Sequence, residues 1–273
     1  MVETGIDRVV GPDRSLALVR SRLDVVRDVA RAHDATVNDV LLTAVAGGLR
    51  RLLHSRGETV DGLVMRVYVP VTLRRGHFAE ARGNLISQMV VPLPIGMADP
   101  GRRLRHIAAE TTRRKALGRP PLGKLPSGGF TGRMFLKLLD RHRVNVTTAN
   151  LPGPKSRLYL AGAEVLEVFP LLNLIGRVAL GLGAMSYAGA FGLLAVADGD
   201  ACPDIDVFAA GVRDDLLRLE ASVCRTPPHA GTGSATGSGS GERLSNRAVQ
   251  SRSMDAIRTS RSGKARASAV TTR

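Results

Sequence analysis

Apolar and polar positions along residues 1–225 recur with two periods, and the switches between them mark out the elements. Leu16, Leu18, Arg20 and Arg22 share one alternation, which predicts a strand over 14–23. Asp24 is placed to cap a short helix that carries Val25, Val26, Val29 and Ala30 on one face and ends near His33. Thr36-Val-Asn-Asp39 has the form of a capping box, with Asp where Glu or Gln is usual. The helix it opens should run over 37–55, stop at Gly57, and be buried through Val40, Leu41, Ala44, Val45 and Leu52. Within it, the small Ala46-Gly47-Gly48 patch should allow close packing against a sheet.

Two β-rich runs follow at 64–73 and 85–93, the first with Val67, Tyr68, Val69 and Val71, the second with Ile86, Val90 and Val91. Residues 100–117 read as a helix whose Arg102, Arg103, Arg105, Arg113, Arg114 and Lys115 fit a solvated basic face better than a coenzyme clamp. The Pro- and Gly-rich stretch 118–132 is a loop, 134–142 a short helix, and 144–149 and 164–170 are strands. More strand is expected over 176–197, and Pro203 with Asp204 opens a last helix ending near Val223. Strands interleaved with helices predict an α/β fold with a mixed sheet flanked by helices.

Residues 178–197 form a run of 20 without a charge, long enough to span a membrane. Gly181, Gly183, Gly189 and Gly192 dilute its hydropathy, and Ser186-Tyr187-Ala188-Gly189 reads as a turn between two β-rich arms, so a buried hairpin is expected. After Cys224 the composition changes to Gly, Ser, Thr, Ala and Arg, including the low-complexity run 231–241. Too few large aliphatic residues remain there to offset the entropy of ordering, so the domain is expected over 1–225 and a disordered tail over 226–273.

The chain has 39 Lys and Arg against 24 Asp and Glu, a net charge of +15, but the two signs are interspersed along the body. Six Phe, three Tyr and no Trp offer little for base stacking, and no zinc-finger or RNP spacing occurs, so no specific nucleic acid is expected. Acidic lipid headgroups or coenzyme phosphates would suit such a surface as well as DNA. Cys202 and Cys224 are too few for a disulfide framework and lack metal-ligand spacing, which predicts reduced thiols and a cytoplasmic setting without a bound metal. No secretory signal is expected from the amino-terminal residues.

Self-sufficient catalytic machinery is hard to find. No His is followed four residues later by Asp; His54-x-x-x-Glu58 and His106-x-x-x-Glu110 fit surface pairs on helices. Ala184-Met-Ser186-Tyr-Ala188 is a distant imitation of a nucleophile elbow, with Ala at both Gly positions, and the downstream His229 falls in the tail. Residues 125–132 lack the Lys-Ser/Thr ending of a phosphate loop.

Seven segments do match one family in order. They are Gly11-Pro-Asp-Arg14; Thr36-Val-Asn-Asp-Val-Leu-Leu42 with Ala46-Gly-Gly-Leu-Arg50; Val69-Pro-Val-Thr-Leu-Arg74; Gly83-Asn84; Ala149-Asn-Leu-Pro-Gly-Pro154; Leu158-Tyr-Leu-Ala-Gly-Ala163; and Ser186-Tyr-Ala-Gly189 with Phe191-Gly192 and Ala197-Asp198. Over about residues 5–223 the chain resembles the carboxy-terminal domain of the wax ester synthase/diacylglycerol acyltransferase family, with Leu151 where Val is usual. The resemblance implies one lobe of a chloramphenicol-acetyltransferase-like two-lobe fold, in which acyl-CoA and an acceptor alcohol meet in a tunnel between lobes. It implies acyl-CoA as cosubstrate with no tightly bound cofactor, and a long-chain alcohol or diacylglycerol as acceptor.

The family's general base lies in an HHxxxDG motif of the other lobe, and this sequence has no His-His pair, so no catalytic residue is expected in it. Met1 falls near where the carboxy-terminal lobe starts, which makes the expected gap a whole lobe. By resemblance, Asn38, Asp39, Arg74, Asn84, Asn150, Ser186, Tyr187 and Gly189 line or shape the tunnel. Read as residues alone, Asn38 and Asp39 are the first turn of a capped helix, Ser186, Tyr187 and Gly189 make a turn, and Arg74 is either solvated or on a phosphate. Three readings stay open: a half-enzyme completed by a separate amino-terminal lobe, a non-catalytic acyl-chain or lipid-surface binding module, and the relic of a split gene. A lone lobe should expose an apolar surface, with residues 178–197 the expected wall, and so self-associate, bind the other lobe or adhere to a lipid surface.

Overall fold

A computed structural model describes residues 4–72, 86–116, 144–174 and 176–224. The strands are β1 (Arg14–Arg22), β2 (Val64–Thr72), β3 (Ile86–Pro94), β4 (Val146–Leu151), the short β5 (Tyr159–Leu160) and β6 (Ala163–Glu164), β7 (Leu180–Tyr187) and β8 (Ala190–Asp198). The helices are α1 (Leu23–Ala32), α2 (Val37–Ser55), α3 (Pro100–Ala116) and α4 (Ile205–Cys224). Six strands make one mixed sheet in the order β1-β8-β7-β4-β2-β3; β4 runs parallel to β7 and β2, and the other pairs are antiparallel. The expected α/β class with a helix-flanked mixed sheet is therefore the observed one. The loop expected at 118–132, the helix at 134–142 and the tail at 226–273 lie outside the described residues.

The uncharged run 178–197 is the β7–β8 hairpin. It turns through two residues only, Ala188 at φ 45° and Gly189 at φ 88°, the doubly left-handed geometry that suits the twist of paired strands. Ser186 and Tyr187 thus belong to β7 and not to the turn. Among the described residues no helix is long and apolar enough to cross a membrane.

One face of the sheet carries Val19, Met65, Val67, Val91, Val146, Leu182 and Leu193 into a single core with α2. The other face differs from expectation. Residues 164–170 do not form a strand beyond Glu164; they continue as an unpaired segment laid across β7 and β8. Glycines make room for it: a Cβ on Gly192 would sit 2.9 Å from the Phe169 ring, and one on Gly183 would overlap the Pro170 carbonyl. Arg20 pins the segment, with Nε and Nη2 donating to Glu167 at 2.6 and 2.9 Å and its guanidinium 5.5 Å from the centre of the Phe169 ring. The expectation of residues 178–197 as an open apolar wall is therefore corrected: the hairpin's glycines serve the chain's own Phe169 and Pro170, and its side chains are mostly buried.

Helix α2 starts with the expected capping box. Thr36 Oγ1 accepts from the Asp39 amide at 3.3 Å, and Asp39 Oδ2 accepts from the Thr36 amide at 2.9 Å. It ends at Gly57, whose φ of 74° has no side chain to strain. Its Ala46-Gly47-Gly48 patch packs closely against α4, where a sheet was expected. A Cβ on Gly211 of α4 would lie 2.9 Å from the Gly48 Cα, and one on Gly48 would crowd Phe208 and Val212.

A second correction concerns α3. Arg103, expected on a solvated basic face, is 1% exposed and pairs with Asp215 of α4. Its guanidinium also donates to the carbonyls of Thr43 (3.2 Å), Met97 (2.9 and 2.6 Å) and Ala98 (3.4 Å), so the charge is ringed by acceptors from α2 and the β3–α3 connection. Gly47 makes the space, since a Cβ there would overlap the Asp215 carboxylate. A charge run in sequence does not reveal that one of its members turns inward.

At the opposite end of α2, relative to its capping box, Arg56 binds Asp204 through two nitrogens and the Ala201 carbonyl at 3.0 Å. Asp198 accepts from the amides of Gly11 (2.6 Å), Ala201 (2.9 Å) and Asp200 (3.2 Å), tying the amino-terminal Gly11-Pro-Asp-Arg14 segment to the end of β8. Cys202, buried nearby, has its thiol pushed up to about 12 by burial, which makes it unreactive; Cys224 is exposed and also free.

Three outcomes are expected from unfolding experiments. Gly47→Ala should lower stability by about 2–3 kcal/mol in urea, because α4 must move to accept one methyl group. Asp215→Asn should cost about 3 kcal/mol by stranding the Arg103 charge, whereas replacing both partners with apolar residues should cost far less. The Arg56 guanidinium holds the Asp204 carboxyl below the usual carboxylate range. That stability is therefore complete above about pH 4, the unfolded value, and is lost as pH falls through the depressed folded value. Asp204→Asn should flatten this acid limb in pH-dependent melting.

Candidate functional site

The parallel strands β4 and β7 end side by side, with Asn150 opposite Ala184 and Leu151 opposite Met185. Strand alternation puts Thr148, Asn150, Ala184 and Ser186 on the same side of the sheet. The ends of adjacent parallel strands are where open α/β sheets place ligands. Thr148 is fully buried there, and among the described residues neither its hydroxyl nor the half-buried Asn150 side chain has a partner. Thr148 was not singled out from the sequence, and nothing in its local pattern distinguishes it from an ordinary strand threonine.

Beyond β4 the chain turns through Pro152-Gly153-Pro154 and is held by the end of β7. Ser186 Oγ accepts from the Gly153 amide at 3.2 Å, and the Ala188 amide donates to the Pro154 carbonyl at 3.1 Å. Only glycine fits at 153, since a Cβ would overlap the Ser186 carbonyl. Tyr187 continues the clasp. Its buried hydroxyl accepts from the Leu158 amide at 2.8 Å and donates to the Val165 carbonyl at 2.7 Å, and the Val165 amide in turn donates to the Leu158 carbonyl at 2.9 Å. The hydroxyl thus closes the base of the β5–β6 arm, and an Arg157–Glu164 pair at 2.6 Å closes its outer side. Three stretches separate in sequence, 149–154, 158–163 and 186–189, are one cluster in space.

The arm carries the exposed apolar surface. Leu160 is 75% exposed at its tip beside Ala161 (φ 50°) and Gly162 (φ 84°), with Leu158 and Tyr159 next to it. Leu166 is 77% exposed just past the arm.

Asn38 and Asp39 stand in the first turn of α2. Both Asp39 oxygens are occupied, one by Thr36 and the other by Thr111 Oγ1 of α3 at 2.7 Å, so this buried carboxylate joins two helices. Asn38 is half-buried with no side-chain partner among the described residues. No hydrogen bond links Asn38 or Asp39 to Asn150, Ser186 or Tyr187. Gly189 supplies the turn conformation. Arg74 and Asn84 lie outside the described residues.

The described residues arrange no acid–base pair around a histidine. His33 Nδ1 contacts the Val29 carbonyl at 3.0 Å, and no hydrogen bond or ion pair joins His33, His54 or His106 to a carboxylate among the described residues. Ser186 Oγ engages the Gly153 amide, and among the described residues it has no hydrogen bond to a base.

Comparison with known proteins agrees with this geometry. The family model described as WS/DGAT C-terminal domain matches residues 82–220. A protein described as a probable diacylglycerol O-acyltransferase of Mycobacterium tuberculosis is 32% identical over 208 residues, covering 72% of this chain and 44% of that protein. Among solved structures, the wax ester synthase/diacylglycerol acyltransferase of Marinobacter aquaeolei superposes with a TM-score of 0.63 at 21% identity, over 82% of this chain and 52% of that one. A condensation domain of the enacyloxin polyketide synthase gives 0.54 at 16% identity, over 84% and 44%. The chain spans less than half the length of the curated relatives it matches. Its sheet and helices correspond to one lobe of the two-lobe fold.

Tyr187→Phe should release the arm while leaving the sheet intact. Amide exchange at Leu158 should rise about tenfold, the equivalent of roughly 1.4 kcal/mol for one lost buried hydrogen bond. Exchange at Leu158 equal to that of the parent chain would show that the hydroxyl does not hold the arm.

Proposed function

Because this chain belongs to the wax ester synthase/diacylglycerol acyltransferase family, as its carboxy-terminal domain, we propose that it is the substrate-shaping half of an acyl-CoA-dependent O-acyltransferase. In that reaction the oxygen of a long-chain alcohol or diacylglycerol bonds to the thioester carbon, the carbon–sulfur bond breaks, and the alcohol proton is passed on to the departing CoA thiolate. The observation that carries the reading is the convergence of the Asn150, Leu158–Ala163 and Ser186–Gly189 stretches into one cluster at the ends of β4 and β7. Thr148, Asn150 and the arm would border the acyl path, and Asn38 and Asp39 would fix the start of α2. Arg74 and Asn84 belong to the same set by motif.

The general base would come from an HHxxxDG-bearing lobe outside this sequence, which has no His-His pair. The exposed Leu158, Tyr159, Leu160 and Leu166 support a surface that meets that lobe, a second copy or a lipid surface. The same surface is the observation in favour of the second reading, a non-catalytic module that binds acyl chains or lipid. A cytoplasmic protein lying peripherally on membrane or lipid droplets fits either.

The purified chain alone should transfer no acyl group from acyl-CoA to hexadecanol or diacylglycerol, since general-base help is worth about 10²–10⁴-fold in rate. Co-expression with a lobe carrying HHxxxDG should restore ester formation. Turnover by the isolated chain that disappears when one of its six histidines is replaced would overturn the proposal. Saturable binding of acyl-CoA without turnover, with or without the added lobe, would instead favour the binding module.

A further inference from the structure

The carboxy-terminal half of α2 and the middle of α4 enclose a cleft of 630 Å³, closed at one side by Ala98. Its floor is the buried Arg103–Asp215 pair, and its walls carry Arg50, Arg51, His54, Asp214 and Arg218. Four arginines and a histidine therefore face two carboxylates. Arg51 is paired with Asp214, and Asp215 is taken by Arg103. Arg218 reaches Asp215 only at 3.8 Å and stays 59% exposed, while Arg50 uses Nη1 on the carbonyls of Ile95 and Gly96 at 3.1 Å each. That leaves Arg218 with only a long contact to the already paired Asp215, and the remaining nitrogens of Arg50 and the His54 ring with no carboxylate among the described residues; all three line one volume.

We propose that this cleft binds a phosphate group carried on a larger ligand. Arginine suits a phosphate because its planar fork meets two oxygens at once and because it is less strongly hydrated than lysine. The cleft sets these charged heads among the apolar flanks of Ala98 and Val207 and the bare backbone of Gly47 and Gly211, and it is wide enough for a phosphate with its attached group. The floor is rigid, since Arg103 is fixed by backbone carbonyls of two segments, so the wall arginines work from a fixed base. The two carboxylates set the sign of a test: one of them, Asp214, competes with the ligand for Arg51.

The test uses the full chain with pyrophosphate as soluble probe and phosphatidic-acid vesicles as lipid-borne probe, titrated at about 0.15 M salt so that unspecific attraction is screened. Arg218→Gln should weaken binding of the favoured probe by about tenfold or more, the loss expected for a charge-assisted contact. Asp214→Asn should strengthen it severalfold by freeing Arg51. Circular dichroism would verify that both variants, each at an exposed position, keep the fold. Response to pyrophosphate supports a soluble phosphate ester, and response to vesicles alone supports a lipid headgroup. Absence of saturable binding to either probe, or affinity unmoved by both variants, would overturn the proposal.

Discussion

The junction of α2, α3 and α4 is built around one buried ion pair, Arg103 of α3 with Asp215 of α4. Burial acts on Arg103 and Asp215 in opposite directions, lowering the guanidinium and raising the carboxyl, and it is the largest influence on each. Such a pair survives only when its remaining hydrogen-bonding capacity is met. Here the carbonyls of Thr43, Met97 and Ala98 meet it. The consequence is architectural more than energetic. Arg103 draws the start of α3, the middle of α2 and α4 to one point, and Gly47 is a glycine because that point leaves no room for a side chain, while Gly211 lies against the backbone of Gly47 and Gly48. From there α3 runs back along α2 to where Thr111 meets Asp39, so the second junction of the two helices is another buried carboxylate.

The sheet uses the same device on its far side. Glycines at 183 and 192 bring the segment carrying Phe169 and Pro170 against the strands, and Arg20 fastens it from β1. Gly153 then allows the turn after β4 to rest on the Ser186 carbonyl. Each of these contacts is a backbone approach licensed by a missing Cβ, so the shape of the β4–β7 end is set by glycine positions as much as by any polar group. Tyr187 is the exception. Its single hydroxyl organises an arm that has almost no apolar contact of its own to hold it.

Much of this fold was legible in the sequence. The period of α2, its Thr36–Asp39 box and its Gly57 stop were all local signals, and the local signals held. The β7–β8 hairpin was readable from its glycine-diluted apolar run. The failures have a common cause. Residues 164–170 have strand composition, but whether such a stretch joins a ladder or crosses a face depends on glycines some 20 residues away. Arg103 sits in a run of arginines, and only the absence of a side chain at Gly47 and the presence of Asp215 at a separation of 112 residues turn it inward. The candidate site was legible as a set of motifs, while its geometry was not: the sequence offers no sign that Gly153, Ser186 and Tyr187 touch, and Thr148 carries no mark at all.

The glycine contact between α2 and α4 also has a mechanical meaning. Where two helices meet through side chains, rotamer changes can absorb a small displacement; where they meet backbone to backbone, nothing lies between them to yield. Gly48 and Gly211 leave no such cushion, and the Arg103–Asp215 pair braces the contact from α3, with Arg103 also donating to the Thr43 carbonyl of α2. The pair therefore behaves as a single lever about 28 Å long on the α2 side. Its one end carries Arg51 and His54, and its other end carries Asn38.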